Sequence, residues 1–91
     1  MANTIDVGMI VQFGGLFVPE NYIECNGQLL QVSTFQGLFS IIGPTYGGDG
    51  RSTFAVPDLR PVDTQGMRIS YKAAKVPSYI ICSFGEYPVW P

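Results

Sequence analysis

The sequence predicts a small, mainly β domain of α+β type, with antiparallel strands and one short α-helix. Several short segments have apolar residues at alternate positions, only one segment has helical spacing, and 11 glycines and 7 prolines separate these segments. A chain of 91 residues has the size of one domain. No change in composition divides it, so residues 1–91 are expected to form a single domain.

The first strand is predicted over residues 5–13. Every odd position in this segment is apolar, and Asp6 and Gln12 are among the residues between them. This is the period of a half-buried strand. Gly14 and Gly15 end the pattern.

A short antiparallel hairpin is predicted next. Apolar residues alternate again over residues 22–25, and residues 28–32 supply the returning strand. Asn26 and Gly27 lie between them and are the strongest two-residue hairpin signal. We therefore expect these two strands to pair with each other.

Residues 33–43 carry the helix signal. Four apolar residues at the i, i+3, i+4 and i+7 positions form one stripe: Phe35, Leu38, Phe39 and Ile42. Ser33 and Gln36 have the spacing of a capping box, and Gly43 followed by Pro44 is typical of a helix end. The sequence therefore predicts a helix of about two to three turns.

Four shorter assignments complete the chain. Residues 45–53 are predicted to be a glycine-rich loop, and residues 54–56 a short strand. Residues 67–72 alternate apolar and polar side chains, which favours an exposed or edge strand. Residues 79–84 are predicted to be the closing strand.

The composition indicates a protein partner. Apolar residues make up 46% of the sequence and charged residues only 13%. A domain of this size buries only about 60–65% of the surface that its unfolded chain exposes. The surplus apolar surface is therefore expected to be covered by another subunit.

Charge and hydropathy argue against nucleic-acid and membrane partners. The net charge is -2 and the basic residues are spread along the chain, whereas phosphate binding requires a basic face. The first residues lack the features of a signal peptide, and no segment has about 18 consecutive apolar residues. We expect a soluble chain made in the cytoplasm, with no nucleic-acid partner and no membrane insertion.

The two cysteines, Cys25 and Cys82, each lie in an apolar, strand-like run. A disulfide between them would close a long loop and add about 4 kcal/mol of stability. Buried thiols outside any disulfide are the favoured alternative, because cysteine behaves as a small apolar residue in such runs.

The glycine-rich loop, GPTYGGDGRST, does not match a phosphate-binding loop. Thr45 stands where a P-loop has its first glycine, and the segment follows a helix instead of preceding one. Asp49 is the only acid in the loop, whereas calcium requires several oxygen ligands. The expected role is structural: Asp49 and Arg51 fasten the loop by hydrogen bonds. Three glycines are expected to supply unusual backbone angles, namely Gly47, Gly48 and Gly50.

The sequence predicts no enzymatic activity, no metal and no cofactor. Histidine is absent, and neither cysteine has the neighbouring base or electropositive surroundings that a nucleophile requires. Lys72 and Lys75 lie in a polar stretch that is expected to be solvated. Two thiols without an imidazole are too few ligands for zinc.

The aromatic residues divide into two groups. Six phenylalanines are expected in the core: Phe13, Phe17, Phe35, Phe39, Phe54 and Phe84. Tyr46, Tyr87 and Trp90 lie in or beside loop and terminal segments, where aromatic rings can stack on sugars or pack against another subunit. An equally favoured alternative is that the terminal segment, EYPVWP, covers the domain's own core.

Two blocks, IECNGQLL and FQGLFSIIGPTYGGDGRSTFAVPDLR, resemble the phage tail collar domain family, also called the microcystin-dependent protein family. The spacing from CNGQ to PDLR is the most specific part, and PSYIICSFGEYP is similar to the family's C-terminal strand. The resemblance assigns structural roles to three motifs. They consist of Cys25, Asn26, Gly27 and Gln28; of Tyr46, Gly47, Gly48, Asp49 and Gly50; and of Phe54, Pro57, Asp58, Leu59 and Arg60.

The resemblance implies a compact antiparallel β domain of tail-collar type, in a phage tail fibre, tail tip or fibre-associated subunit. Such a virion component acts in assembly, binds other tail or fibre proteins and forms a homo-oligomer, with a trimer favoured. The alternative is a host-attachment module that binds cell-surface polysaccharide through Tyr46, Tyr87 and Trp90. A hydrolase ranks third.

The sequence departs from the family pattern after PDLR. Family members usually continue with Gly-Arg and a long insertion before the closing strand, but here Pro61 follows PDLR and only residues 61–78 separate the two. If the insertion carries the receptor contacts, this shortening leaves mainly the packing scaffold. Metal sites described for some fibre tips use histidine, so none carries over to this chain.

Overall fold

The computed structural model describes residues 6–85, and its strands form two antiparallel sheets. This architecture confirms the mainly β class. A four-residue second helix accompanies the one that the sequence predicts. The elements in chain order are β1 (Ile10–Phe13), β2 (Tyr22–Glu24), β3 (Leu29–Gln31), α1 (Gln36–Ile42), β4 (Thr53–Ala55), α2 (Tyr71–Ala74) and β5 (Ser78–Cys82).

The larger sheet has three strands in the order β1-β5-β2. Ile10 pairs with Ile81 on one side of β5, and Tyr22 pairs with Cys82 on the other. The closing strand that the sequence predicts is therefore present, and it is the central strand of this sheet. Ile80 and Ile81 are almost fully buried, as expected for a central strand.

The smaller sheet pairs β3 with β4. Leu30 stands opposite Phe54, and both side chains are buried. The ring of Phe39 in α1 contacts the Phe54 ring edge-on, with 5.2 Å between the ring centroids. The helix therefore packs on the smaller sheet through an aromatic pair.

The predicted hairpin between β2 and β3 is wrong, because the backbone beside Asn26 bonds elsewhere. The Cys25 N–H donates to the Tyr79 carbonyl at 2.8 Å, and the Gly27 N–H donates to the Pro57 carbonyl at 3.3 Å. The first partner belongs to the larger sheet and the second follows β4. The Asn-Gly pair thus carries the chain from one sheet to the other instead of reversing it.

β1 begins at Ile10, later than predicted, because a turn interrupts the segment. The Met9 N–H donates to the Asp6 carbonyl at 3.1 Å. As a result Met9 is exposed although it follows the alternating pattern, whereas Val7 is buried. Ile5, where the pattern starts, lies outside the described residues.

α1 starts at Gln36 instead of Ser33. No side-chain hydrogen bond caps its first turn, so the predicted capping box between Ser33 and Gln36 is wrong. The Thr34 and Phe35 N–H groups donate instead to the Gln31 carbonyl, at 3.2 and 3.1 Å. A backbone turn after β3 therefore occupies the place of the predicted cap.

The end and the apolar stripe of α1 agree with the prediction. Gly43 has φ +59°, and its N–H donates to the Phe39 carbonyl at 2.7 Å. Leu38 is fully buried, and Phe35, Phe39 and Ile42 pack against the core. The helix therefore presents one apolar face to the domain interior.

The predicted strand over residues 67–72 is wrong, because Arg68 forms only an isolated bridge with Val62 and a helix begins at Tyr71. The Ser70 Oγ accepts a hydrogen bond from the Ala73 N–H at 3.1 Å, and this N-cap starts α2 at Tyr71. Lys75 ends the turn with a left-handed backbone. The segment thus holds a buried tyrosine on a short helix and not an exposed strand.

One cluster of buried residues joins both sheets and α1. It consists of Val7, Cys25, Leu30, Leu38, Phe54, Val56 and Ile81. Phe17 is not part of the core, contrary to the prediction, because its side chain is 84% exposed on the loop after β1. Phe84 is about half exposed, and the centroid of its ring lies 5.4 Å from the centroid of the Phe35 ring.

Cys25 and Cys82 are buried and not joined by a disulfide, which confirms the favoured alternative. Cys82 stands opposite Tyr22, whereas the Cys25 N–H bonds to Tyr79, three residues earlier on β5. At about 3.3 Å per residue the two Cα atoms are roughly 10 Å apart, beyond the reach of a disulfide. Burial raises the pKa of the Cys25 thiol to about 11.

Candidate functional site

The CNGQ and PDLR motifs lie side by side, although more than twenty residues separate them in the sequence. Residues 25–28 run antiparallel to residues 56–59 and extend the pairing of β3 with β4. Three backbone bonds join them: Leu59 N–H to the Cys25 carbonyl at 3.1 Å, Gly27 N–H to the Pro57 carbonyl at 3.3 Å, and Val56 N–H to the Gln28 carbonyl at 3.2 Å. We call residues 25–28 with 56–60 the motif junction.

Gly27 is the tightest position of the motif junction. Its φ is +79°, and a Cβ atom there would lie 3.2 Å from the Asp58 Cβ and 3.3 Å from its Oδ2. Asn26 shapes the same turn, since its Oδ1 accepts from the Gln28 N–H at 3.2 Å. The motif residues thus allow two chain segments to approach closely.

Arg60 holds the Asp58 carboxylate in a bidentate pair. The Nε–Oδ1 distance is 2.9 Å and the Nη2–Oδ2 distance is 2.7 Å. These side-chain bonds lower the pKa of Asp58 to about 2. Arg68 donates to the Arg60 carbonyl, so the segment after PDLR is tied to the motif junction.

Tyr71 anchors α2 to the same place. Its hydroxyl donates to the Cys25 carbonyl at 2.7 Å, inside the protein, and its side chain is 3% exposed. Burial raises the pKa of Tyr71 to about 12. The sequence does not reveal this contact, because the alternating neighbours of Tyr71 indicate a strand. Ser70, a residue type favoured at the N-cap, is the helix signal that the segment offers.

Asp49 organises the glycine-rich loop. Its Oδ1 accepts from the N–H groups of Arg51, Ser52 and Thr53 at 2.8, 2.9 and 3.0 Å. These bonds, the one from Thr53 above all, hold the pKa of Asp49 well below its usual range. The carboxylate is thus used within the loop, and Arg51 contributes through its backbone N–H.

The loop lies directly on β4. A Cβ atom at Gly48 would be 2.4 Å from the Phe54 Cα, so only glycine fits there. The Ala55 N–H donates to the Gly47 carbonyl at 3.1 Å. The loop motif therefore extends the smaller sheet through backbone contacts.

Of the three aromatic candidates for sugar or subunit contact, only Tyr46 lies in the described part of the chain. Tyr46 lies in the glycine-rich loop and is 50% exposed. Tyr87 and Trp90 lie outside the described residues. Tyr46 is thus the one candidate whose exposure the structure gives.

The described residues offer no metal-binding group of three or more His, Cys, Asp or Glu side chains. Both thiols are buried, and burial raises the pKa of each. Between residues 6 and 85, no helix is both long and apolar enough to cross a bilayer. The bonds that the motif junction does show include backbone hydrogen bonds and the Arg60–Asp58 ion pair.

Together the fold and the motif junction define a structural β domain in which two distant sequence motifs hold the sheets together. The sequence model of the phage tail collar domain matches residues 8–62, a range that contains the whole junction. The chain belongs to the phage tail collar domain family. Searches of curated proteins and of solved structures found no match. The protein is thus a structural component of a phage tail and associates with other tail proteins.

Proposed function

We propose that this chain is a tail-fibre or tail-tip subunit that acts in particle assembly by packing its apolar surface against other tail proteins. The observation that carries this proposal is the number of large apolar side chains left exposed on a family domain. They include Leu16, Phe17, Leu29, Val62 and Met67. Burying one such side chain contributes about 1.5–3 kcal/mol, whereas association itself costs about 4 kcal/mol or more, so a stable contact has to bury several of them.

A homo-oligomer, with a trimer favoured, is part of the same proposal. A small domain leaves a large share of its apolar surface uncovered, and self-association is the commonest way to cover it. We propose further that residues 1–91 act as one domain, in which the short segment 61–78 replaces a longer insertion. Tyr71 and Arg68 support this, because both tie that segment to the motif junction.

The role we propose is non-enzymatic. The matched family domain is a structural one. The Asp49 and Asp58 carboxylates are engaged in hydrogen bonds that stabilise the fold. A catalytic acid or base would instead have to be available to a substrate.

Particle composition tests the proposal. Purified virions, washed at high salt and analysed by mass spectrometry, should contain this chain in a fixed ratio to the major tail protein. A host cytoplasmic protein of similar abundance serves as the contamination control. Absence of the chain from intact particles would refute the tail role.

Host attachment through surface glycans is a second candidate, favoured by the exposed ring of Tyr46 in a rigid loop. Aromatic faces stack on sugars, and Tyr87 and Trp90 are further candidates by sequence. The proposal predicts saturable binding of the recombinant protein to host envelopes or polysaccharide. Tyr46→Ala should abolish that binding and the exposed control Val62→Ala should not; equal binding by both variants rules out this use of Tyr46.

A further inference from the structure

A groove of about 430 Å³ opens beside the larger sheet. It lies between the end of β1, the loop that follows β1, α2 and the start of β5. Its apolar lining includes Phe13, Leu16 and Val76. Leu16 is 77% exposed, so the apolar wall of this groove is open to a partner.

Two lysines line the same groove without a carboxylate partner. Lys72 and Lys75 are exposed, and within residues 6–85 neither lies within salt-bridge distance of an acid. The one acid in the lining, Glu24, accepts a hydrogen bond from the Asn26 side chain at 3.2 Å. The groove therefore combines apolar walls with two lysine ammonium groups, each of which can form an ion pair with a carboxylate.

The loop after β1 has the complementary chemistry. Residues 16–20, LFVPE, present two strongly exposed apolar side chains, Leu16 and Phe17, followed by the exposed Glu20. Phe17 and Glu20 do not line the groove of their own chain. Since Phe17 is 84% exposed, its ring finds no cover among the described residues.

We infer that the loop of residues 16–20 from one copy of this chain fills the groove of a second copy, with Phe17 against the apolar wall and Glu20 beside Lys72 and Lys75. Leu16 lines the groove of its own chain, whereas Phe17 and Glu20 lie outside it, so their contact with the groove of a second copy is head-to-tail. We expect this contact to close into a ring, for example a trimer. The inference rests on the homo-oligomer in the proposed function and identifies its contact surface.

The test is the solution mass of the full chain over a concentration series, by size-exclusion chromatography with light scattering. The wild type should form a closed oligomer. Phe17→Ser should be monomeric, whereas the control Met9→Ser, at an exposed apolar site outside the groove, should keep the wild-type mass. Thermal melts show that each variant is folded.

Charge reversal supplies the sharper arm. Lys72→Glu with Lys75→Glu should weaken assembly roughly tenfold, as should Glu20→Lys alone. Combining all three changes should restore the wild-type mass, because opposite charges again meet between copies. Failure of the triple variant to assemble, or full assembly by folded Phe17→Ser, overturns the contact.

A monomeric wild type at every concentration also overturns the inference. The tail role is tested separately by particle composition. A chain that is present in virions but monomeric in solution refutes the groove contact alone. A chain that forms the predicted oligomer but is missing from virions refutes the tail role alone.

Discussion

Arg60 and Asp58 form the one ion pair of the motif junction, and its value depends on pH. The pKa of Asp58 is lowered from 3.8 to about 2 in the folded protein. Because the pKa of Asp58 is lower in the folded than in the unfolded protein, the ionised carboxylate stabilises the fold at pH values above about 4. This contribution is lost as the pH falls from about 4 to about 2. The pair is partly exposed to solvent, which screens it, so its contribution to stability is small.

Arg60→Met should therefore lower the free energy of unfolding at pH 7. It should also make that free energy depend less on pH in the acid range. We expect its deficit relative to wild type to shrink as the pH falls from 4 to 2, in urea unfolding followed at each pH. Asp49 also has a lowered pKa, but it is unchanged in both proteins, so the difference isolates Asp58. A deficit independent of pH would show that Arg60 acts through packing only.

Gly27 is required by two independent constraints, its positive φ and the closeness of Asp58. Gly27→Val should destabilise the fold by about 2 kcal/mol or more, because a β-branched residue resists positive φ and its Cβ crowds Asp58. The matched control is Gly37→Ala in α1, which meets no atom within 4 Å and should be neutral or slightly stabilising. Equal melting of the Gly27 variant and wild type would contradict the assigned geometry.

At the scale of elements, α2 is tied to the motif junction by the Tyr71 hydroxyl, which donates to the Cys25 carbonyl. Tyr71→Phe should lower the free energy of unfolding by about 1 kcal/mol. The loss is no larger because the Leu59 N–H still donates to the Cys25 carbonyl. The raised pKa of Tyr71, about 12, adds a pH signature. Wild type should lose stability as the pH rises from about 10 to 12, because the unfolded chain ionises first.

Denaturant unfolding between pH 7 and pH 11 measures this difference. Tyr71→Phe lacks the ionisable group and should lose less stability over that range than wild type. Val56→Ala, at a buried position without an ionisable side chain, is the control and should retain the wild-type pH response. Parallel curves for wild type and Tyr71→Phe would contradict the buried hydroxyl.

Local sequence signals predicted where strands and turns lie better than which strands pair. The Asn26-Gly27 signal predicted a hairpin, but its flanking strands pair with β5 and β4, which are distant in the sequence. The alternating pattern of residues 67–72 also predicted the wrong structure. The Ser70 N-cap and the burial of Tyr71 favour a short helix there over a strand. The family motifs were visible from spacing, whereas the Tyr71 contact and the exposed Phe17 required the fold.

For the whole molecule, the matched range 8–62 stops before the strand that completes the larger sheet. β5 is the central strand, and β1 and β2 each pair with it and not with each other. Without β5, both would lose their partner, and Ile80 and Ile81 would leave a large gap in the core. The folding unit therefore extends beyond the matched segment.

A fragment of residues 1–77 should consequently be unfolded. Its amide proton chemical shifts should span a narrow range in NMR spectra, and it should show no cooperative thermal transition. Adding a synthetic peptide of residues 78–85 should restore chemical-shift dispersion, because it supplies the central strand with which both β1 and β2 pair. The control peptide carries proline in place of Ile80, which removes a backbone donor and forbids a central strand. A well-dispersed spectrum from the fragment alone would mean that β1 and β2 find another arrangement, and that the matched segment is itself the folding unit.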